Sequence, residues 1–392
     1  MPNSSEGRYR MPAEWEEQQA VWISFPHNPD TWPINLAAAQ SEMQRLVHFL
    51  SESETVRINV PTGYRETLER TFETELKADR VVLHDIPTND AWCRDHGAIF
   101  VLSDDGDDHR DTNDGTWNDG EHGERGEHGD RGDRGERGDR GERDGDADVV
   151  SSGRTLTAVN WGYNAWGGKY PPYDLDNLAA PRMAEALGVR CIDGGMILEG
   201  GAIEVDGRGV LLTTESCLLN PSRNPELTRA DIESHLKERL GVTDVLWLSG
   251  GDVAGDDTDG HVDNLARFVS DDVIVHVVSE DASDVNYTVL ERQHEELKEI
   301  ASDRGYRLVS LPMPEPVVFD GVRLPASYGN FLITNEVVLL PSYGRVDDRA
   351  RSIVQELFPS RHVQLVPTSN LVVGLGSIHC LTQQVPLGRA AR

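Results

Sequence analysis

Residues 202–213 read Ala202-Ile-Glu-Val-Asp-Gly-Arg-Gly-Val-Leu-Leu-Thr213. The two apolar runs predict paired strands, and the Asp-Gly-Arg-Gly segment between them predicts a tight turn because glycine adopts positive φ without steric cost. A helical pattern follows over 225–240, and a third apolar run follows over 245–248. The predicted unit is therefore a hairpin, a helix and a strand.

The same unit recurs along the chain. Paired apolar runs occur at 98–102 with 155–159, at 265–269 with 273–278 and at 331–333 with 337–340, and a last strand pattern follows Gly376. Helical patterns over 285–303 and 347–357 precede strand patterns at 308–311 and 362–366. Recurrence at this scale indicates an internal repeat. Units arranged about a central axis would bring the starts of their hairpins together.

A long acidic segment, residues 103–150, separates the first pair of runs. Residues 103–148 contain 18 Asp or Glu and 7 Arg, many of them in Asp-Arg-Gly and Glu-Arg-Gly triplets. Such a composition predicts a disordered, solvated insert at a hairpin tip, within one domain spanning 1–392. The segment is short and has no proline, which argues against a collagen triple helix despite its regular glycines.

Charge and composition also limit the partners and the location. The formal net charge is −31 at pH 7, so we expect no nucleic acid and no anionic membrane as a partner. An acid-rich, lysine-poor chain suits a halophilic source, with a merely acidic mesophile as the alternative. The cysteines are far apart, and no apolar leader or run of about 20 apolar residues is present, which predicts a reduced, cytoplasmic protein.

Four polar islands lie at or beside the predicted hairpin starts: Trp92–Asp95, Glu199–Gly201, Asp259–Asn264 and Ile378–Cys380. Together they hold carboxylates, an imidazole and a thiol. Carboxylates can hold a guanidinium cation, a thiolate can attack its carbon, and an imidazole can move the protons. The sequence therefore predicts a guanidine site in which Asp95, Asp263 and Glu199 cage the cation beside Cys380 and His261.

Each residue also has a simpler interpretation. A lone cysteine such as Cys380 on a strand is more often a small buried hydrophobe. Asp95 could form a local ion pair with Arg94, and Glu199 could be a turn carboxylate that faces water.

We place His261 and Asp263 on one face of a strand, where alternate residues point the same way.

Metal binding is the further alternative for the acidic run at 256–259. A calcium loop does not fit, because the required spacing fails at Gly255 and no glutamate follows at the required offset. A zinc site would need more histidine or cysteine nearby in the sequence. We therefore predict no metal.

In combination, these motifs resemble the agmatine deiminase family, within the pentein superfamily of guanidine-modifying enzymes and related to bacterial-type peptidylarginine deiminases. The matching segments cover nearly the whole chain outside the insert. They are Met11-Pro-Ala-Glu-Trp-Glu, Trp22-Ile-Ser-Phe-Pro-His-Asn, Asn89-Asp-Ala-Trp-Cys-Arg-Asp, Asn164-Ala-Trp-Gly-Gly-Lys-Tyr, Asp174-Leu-Asp-Asn, Leu198-Glu-Gly-Gly, Leu219-Asn-Pro-Ser-Arg-Asn-Pro, Asp256-Asp-Thr-Asp-Gly-His-Val-Asp-Asn and Ile378-His-Cys-Leu-Thr-Gln-Gln.

The resemblance implies a five-bladed α/β propeller of ββαβ-type repeats with the active site on its axis and no metal or organic cofactor. It implies Cys380 as the nucleophile, His261 as general acid and base, and Asp95 and Asp263 as guanidinium ligands. Glu199 and Trp92 match positions that line the substrate pocket. The implied reaction hydrolyses agmatine to N-carbamoylputrescine and ammonia, on the way to putrescine, through a covalent thiouronium, and a homodimer is expected.

Four positions depart from the family pattern. His96 and Ala98 flank Gly97 where the family usually has a small residue followed by Gly-Pro, and Leu375 and Ser377 stand where it commonly has Gly and Asn. These departures leave free arginine or a peptide's C-terminal arginine open as alternative substrates. A catalytically silent guanidine-binding protein is the alternative of another class. A cysteine amidase is disfavoured, because carboxylates around a thiolate raise its pKa.

Overall fold

A computed structural model describes residues 9–104, 153–251 and 253–390. Apart from its first two residues, the predicted acidic insert at 103–150 lies outside the described residues. The chain forms an α/β fold, in which short strands alternate with helices.

The strands in chain order are β1 (Gln18–Ser24), β2 (Val56–Asn59), β3 (Val81–His84), β4 (Ile99–Asp104), β5 (Arg154–Gly162), β6 (Arg190–Ile197), β7 (Ile203–Val205), β8 (Val210–Thr214), β9 (Asp244–Leu248), β10 (Ala266–Ser270), β11 (Val273–Val278), β12 (Arg307–Pro312), β13 (Val318–Phe319), β14 (Val322–Arg323), β15 (Leu332–Ile333), β16 (Val337–Ser342), β17 (His362–Pro367) and β18 (Thr382–Pro386).

The α-helices are α1 (Leu36–Leu50), α2 (Arg65–Thr71), α3 (Glu73–Lys77), α4 (Cys93–His96), α5 (Ala165–Gly168), α6 (Ala179–Leu187), α7 (Glu215–Leu218), α8 (Arg229–Leu240), α9 (Tyr287–Arg304) and α10 (Asp347–Leu357). Short 3-10 turns lie at Asp176–Leu178, Gly200–Ala202, Val262–Asn264 and Leu371–Gly374.

Four three-stranded sheets share one topology and confirm the predicted unit. In the sheets β4-β5-β6, β7-β8-β9, β10-β11-β12 and β15-β16-β17, the first pair is antiparallel and the second pair is parallel. The parallel step is made through helices α6, α7 with α8, α9 and α10 respectively. A parallel pair needs such a crossover, because its strands run in the same direction.

The fifth sheet joins the two ends of the chain. Its strand order is β18-β1-β2-β3, in which β18 is antiparallel to β1, and β2 and β3 add in parallel. The last strand pattern of the sequence therefore finds its partner in the first strand. This pairing places β18 beside β1. It therefore fixes the position of the Ile378–Cys380 segment, which lies just before β18.

Helix boundaries follow local chemistry, and two helices differ from the sequence prediction: α9 spans Tyr287–Arg304 where 285–303 was predicted, and the larger difference is at the start of α8. We predicted a helix from 225, where a proline stands, but α8 begins at Arg229. The reason is a capping box: Thr228 Oγ1 accepts from the Asp231 backbone N–H, and the Asp231 carboxylate accepts from the Thr228 N–H. The helix ends as predicted at Gly241, whose φ of 69° is a left-handed conformation that favours glycine.

The apolar core reaches the polar islands directly. The cluster around β1, α1 and β2 includes Trp92, Trp166 and Cys380, and it contains Ile378 and Leu381 on either side of the cysteine. Tight packing therefore fixes the backbone on which the candidate site is built. Among the described residues, no helix is both long and apolar enough to cross a membrane.

Candidate active site

Asp95 lies on the four-residue helix α4 and is almost fully buried. Its Oδ2 accepts from Trp166 Nε1 at 3.0 Å, and its Oδ1 accepts from the Gly201 backbone N–H at 3.0 Å. The neighbouring Arg94 points elsewhere: its Nη1 donates to Gln384 Oε1 at 2.6 Å. The structure of the described residues therefore does not contain the local ion pair between Arg94 and Asp95 that was the simpler interpretation of Asp95.

His261 and Asp263 do not alternate on a strand, and that prediction is wrong. Val262–Asn264 is a 3-10 turn, and β10 begins only at Ala266. The turn forms because Gly260 takes a φ of 93° and the Thr258 hydroxyl accepts from the His261 backbone N–H at 3.1 Å. Both side chains are nevertheless fully buried.

The acidic run before this turn binds the chain's own donors. Asp256 accepts from the backbone N–H groups of Thr258 and Gly260, at 3.2 and 2.8 Å. Asp257 accepts from the Tyr170 hydroxyl, and Asp259 pairs with Lys169 at 2.9 Å and with Arg223 at 2.5 Å. These carboxylates therefore shape the loop that precedes His261.

Three of the predicted site residues converge on one glycine. A Cβ at Gly201 would lie 2.6 Å from His261 Nδ1, 3.0 Å from Asp95 Oδ1 and 3.1 Å from Asp263 Oδ2. The turn that contains Gly201 packs against α4 and against the Val262–Asn264 turn. His261 Nδ1 lies 3.7 Å from Asp95 Oδ1. Because Gly201 has no Cβ, the carboxylates of Asp95 and Asp263 and the imidazole of His261 can lie close together.

Cys380 completes this cluster. We predicted Cys380 on a strand, but β18 begins only at Thr382, and Cys380 lies in the turn before it. Its Sγ lies 3.6 Å from Asp263 Oδ2 and accepts a hydrogen bond from Asn330 Nδ2 at 3.0 Å. Burial, and next the carboxylates of Asp263 and Asp95, raise the pKa of the Cys380 thiol well above its ordinary value.

The charged groups around His261 favour its protonated form. Burial alone would lower the pKa of His261, but Asp95, Cys217 and Asp263 raise it well above its usual range. Burial raises the pKa of Asp95 to about 6, although the charge of His261 opposes that shift. At neutral pH the site thus holds an imidazolium beside an ionised Asp95.

Glu199 is buried, so it is not a turn carboxylate that faces water. Its Oε1 accepts from Arg223 Nε at 2.7 Å, and that arginine is equally buried. The carboxylate of Glu199 is therefore paired with the Arg223 guanidinium, outside the lining of the cavity described below. Its carboxylate also lies in a group with Cys217 and His261 whose ligand atoms are within 4.8 Å of one another, a metal-compatible set among the described residues.

Sequence reasoning missed a second layer of buried polar groups. His379 bridges two carboxylates: Nδ1 lies 2.8 Å from Asp263 Oδ2, and Nε2 lies 2.8 Å from Glu14 Oε2. Glu14 in turn accepts from Arg267 at 2.9 Å. Asn330 precedes β15, so a search for polar residues at every hairpin start would have found it, whereas Glu14 carried no such signal.

A cavity of about 620 Å³ opens onto this cluster. Trp92 and Trp166 form part of its wall, with the ring centroids 6.5 Å apart and the planes at 70°. Asp95 and Cys380 line it, whereas His261, Asp263 and Glu199 are not part of its lining. Trp92 thus lies in the wall of the cavity.

The departures from the family pattern differ in their positions. Leu375 lines the cavity with a φ of 75°, a conformation that glycine adopts more easily. His96 is buried away from the lining, where its Nε2 lies 2.9 Å from Ser24 Oγ. Ser377 is also buried outside the lining. Of these, Leu375 is the residue that can affect the substrate directly.

Cys93 is adjacent in sequence to the site but turned into the core. It is fully buried, and burial raises the pKa of its thiol to about 12. A thiol of this kind is unreactive at neutral pH.

Comparisons with known proteins show the family to which this chain belongs. The family model described as Porphyromonas-type peptidyl-arginine deiminase matches residues 10–386. A protein of Marinomonas sp. (strain MWYL1) named "Putative agmatine deiminase" is 33% identical over 96% of this chain and 94% of its own length.

Solved structures with the same fold include the following two. The agmatine deiminase of Enterococcus faecalis is 29% identical with a TM-score of 0.80, covering 97% of this chain and 96% of that one. A Porphyromonas gingivalis protein titled "Putative Arginine Deiminase" is 36% identical with a TM-score of 0.78, covering 97% and 99%. The predicted resemblance to agmatine deiminases and pentein enzymes is confirmed, and the chain belongs to the Porphyromonas-type peptidyl-arginine deiminase family.

Proposed function

We propose that this chain hydrolyses the guanidinium group of agmatine to N-carbamoylputrescine and ammonia, with Cys380 as the covalent nucleophile. The observation that carries the proposal is the cluster of Cys380, Asp263, Asp95 and His261, of which Cys380 and Asp95 line one cavity. Two carboxylates, a thiol and an imidazolium are the groups that such a reaction requires.

The first step is attack on the guanidinium carbon. Asp95 and Asp263 hold the planar cation by charge-assisted hydrogen bonds. The bound cation offsets the carboxylate charges that raise the pKa of the thiol, so Cys380 releases its proton to solvent and attacks as a thiolate, and it takes a proton back from solvent when the product leaves. The imidazolium of His261 then gives its proton to the departing nitrogen. Ammonia leaves, and a cationic thiouronium remains on Cys380.

The second step is hydrolysis of that thiouronium. The neutral His261 takes a proton from water, and the oxygen adds to the thiouronium carbon. Collapse of the adduct breaks the C–S bond and releases the ureido product with the Cys380 thiolate. The remaining proton is taken up by ammonia, so guanidinium and water become a ureido group and ammonium. The side chains alone supply the chemistry, so the proposed reaction uses no metal or organic cofactor.

The cavity charges favour agmatine over arginine. Its lining contains the carboxyl groups of Asp30, Asp90 and Asp257 in addition to Asp95, whereas burial raises the pKa of a further lining carboxyl, Asp176, to about 8 and leaves it uncharged at pH 7. The one lysine of the lining, Lys169, is already paired with Asp259 at 2.9 Å, and the described lining holds no arginine. Agmatine carries an amine where arginine carries both an amine and a carboxylate, and an unpaired carboxylate is costly in such surroundings.

The larger arrangement belongs to the same proposal. Five sheets of related topology, with β18 and β1 paired, support a five-bladed α/β propeller whose axis carries the site. In this proposal the binding partner of the chain is a small cationic guanidine. A homodimer, a cytoplasmic location and a halophilic source remain predictions from the sequence.

The test is a panel of guanidines. Ammonia and ureido-product release are measured with agmatine, free arginine and a peptide ending in arginine, at several salt concentrations, for wild type and Cys380→Ala. We expect kcat/KM for agmatine to exceed that for arginine by about 100-fold, with no release by the mutant. A preference for arginine or the peptide would keep the chemistry and change the substrate. Tight agmatine binding without release, by a folded protein, would favour the silent binder.

A further inference from the structure

We propose that Glu199, Cys217 and His261 form an inhibitory binding site for a thiophilic divalent cation of the zinc class. The three residues lie on different elements: Glu199 precedes the Gly200–Ala202 turn, Cys217 belongs to α7, and His261 precedes the Val262–Asn264 turn. The fold thus supplies the additional cysteine that the sequence around His261 lacks.

The distances suit a tetrahedral cation after a small adjustment. One ligand atom from each residue lies within 4.8 Å of the other two, and all three side chains are fully buried. Zinc binds sulfur at about 2.3 Å and nitrogen or oxygen at about 2.0–2.2 Å, which separates tetrahedral ligands by roughly 3.3–3.8 Å. Side-chain rotations that close the group by about 1 Å would meet that requirement.

The ligand atoms are available. Glu199 uses Oε1 for Arg223, while its Oε2 has no hydrogen-bond partner among the described residues. Neither ring nitrogen of His261 has a partner of hydrogen-bond geometry in the same part of the chain. Buried polar atoms are rarely left in this state, and here two residues direct such atoms towards one thiol.

The surrounding charges allow a dication despite the nearby arginine. Arg223 also donates to Asp259 Oδ2 at 2.5 Å and to the Thr258 carbonyl at 3.0 Å, so its charge is balanced without Glu199 Oε2. Asp95 lies 3.7 Å from His261 Nδ1 and adds further negative charge.

Inhibition follows from the role of His261 in the proposed function, on which this part of the inference rests. A metal-bound imidazole nitrogen has no proton to give to ammonia and no lone pair to take one from water. Cys380 is left untouched. Turnover would stop although the nucleophile stays free.

Cobalt(II) reports on the site without any need for activity. The wild-type protein, freed of metal by a chelator, is titrated with Co²⁺ and followed by the near-ultraviolet thiolate-to-cobalt band, while Zn²⁺ inhibition is measured by ammonia release. We expect one Co²⁺ per chain with a thiolate band, unchanged in Cys380→Ala and in Cys191→Ser, which removes an exposed cysteine. Cys217→Ser should lose the band and need at least about 100-fold more Zn²⁺ for half-inhibition.

Glu199→Gln is the second variant in case Cys217→Ser does not fold, and it should weaken Co²⁺ binding at least about tenfold while keeping the thiolate band. A band that persists in Cys217→Ser, or one that disappears in Cys380→Ala, would assign the metal to another thiol and overturn the proposal. Absence of any stoichiometric Co²⁺ band in the wild type would also overturn it. An inactive but Co²⁺-binding wild type would instead refute the proposed function and leave the metal site standing.

Discussion

Asn330 contacts Cys380 from both ends of its side-chain amide. Nδ2 lies 3.0 Å from Cys380 Sγ, and Oδ1 accepts from the Cys380 backbone N–H at 3.3 Å and from the His379 N–H at 3.0 Å. The same Nδ2 lies 3.3 Å from Asp263 Oδ2. One amide thus fixes the nucleophile, its backbone and one guanidinium ligand.

Replacing Asn330 should slow catalysis. Asn330→Ala removes a donor that stabilises the thiolate, so we expect kcat/KM for agmatine to fall by about 10- to 100-fold. Asn330→Asp should cost more, because a further carboxylate beside Sγ raises the pKa of the thiol. Steady-state kinetics check both. Asn335→Ala is the control and should stay within about threefold of wild type, because the side chain of Asn335 bonds the Gln18 backbone and not Cys380.

Activity should depend on the charge of Asp95. Burial raises the pKa of this carboxyl group to about 6, so it becomes neutral as the pH falls below that value and no longer attracts a guanidinium. We expect kcat/KM for agmatine to fall about tenfold per pH unit below pH 6, and the acid limb of kcat to lie at lower pH because bound cation stabilises the carboxylate. A kcat/KM that stays flat to pH 4.5, with circular dichroism unchanged, would contradict this role.

Gly201→Ala should disrupt the site while sparing the fold. The added Cβ would fall within 3.1 Å of His261, Asp95 and Asp263 at once, so these side chains must separate. Displacement of about 1 Å in a catalytic group costs on the order of 100-fold in rate. Gly162→Ala is the matched control, because its nearest contact is a side-chain carbon of Ile197 at 3.3 Å, which can move. Similar rates for the two variants would count against the convergence.

A buried glutamate away from the site should make stability depend on pH. Burial raises the pKa of Glu54 to about 7, although the Asn335 backbone N–H donates to its Oε1 at 2.6 Å and opposes the shift. The unfolded chain loses this proton at lower pH than the folded one. The contribution is therefore favourable below about pH 4.5 and is lost as the pH rises through 7.

Glu54→Gln should remove that loss. We expect the variant to match wild type near pH 4.5 and to exceed it by up to about 3 kcal/mol in free energy of unfolding at pH 8. Urea unfolding at the two pH values measures the difference. Equal stability changes in variant and wild type would show that Glu54 ionises normally in the folded chain.

The repeated unit could be predicted because its signals are local. Alternating apolar runs, Gly-rich turns and helical periodicity identified β7 to β9 and β10 to β12, and the helix predicted at 347–357 matches α10. Short-range detail was less predictable: the turn that carries His261 depends on the positive φ of Gly260 and a hydroxyl at Thr258. An apolar–polar alternation of three residues cannot distinguish that turn from a strand.

The site was predictable only where chemistry followed a hairpin start. Cys380, Asp95, His261 and Asp263 were predicted in this way, and the structure brings them together. Their supporting residues come from distant parts of the chain, as when Glu14 meets His379 and Arg267 meets Glu14. Such contacts depend on how the sheets assemble, and no spacing along the sequence encodes them.

The most direct test of the account is to trap the covalent intermediate. Wild-type protein is mixed with agmatine, quenched in acid within one turnover and analysed by intact and peptide mass spectrometry. We predict a mass increase equal to agmatine less ammonia, located on the peptide that carries Cys380 and missing in Cys380→Ala. Continued ammonia release without any adduct on Cys380, or an adduct on another cysteine, would contradict the assignment of the nucleophile.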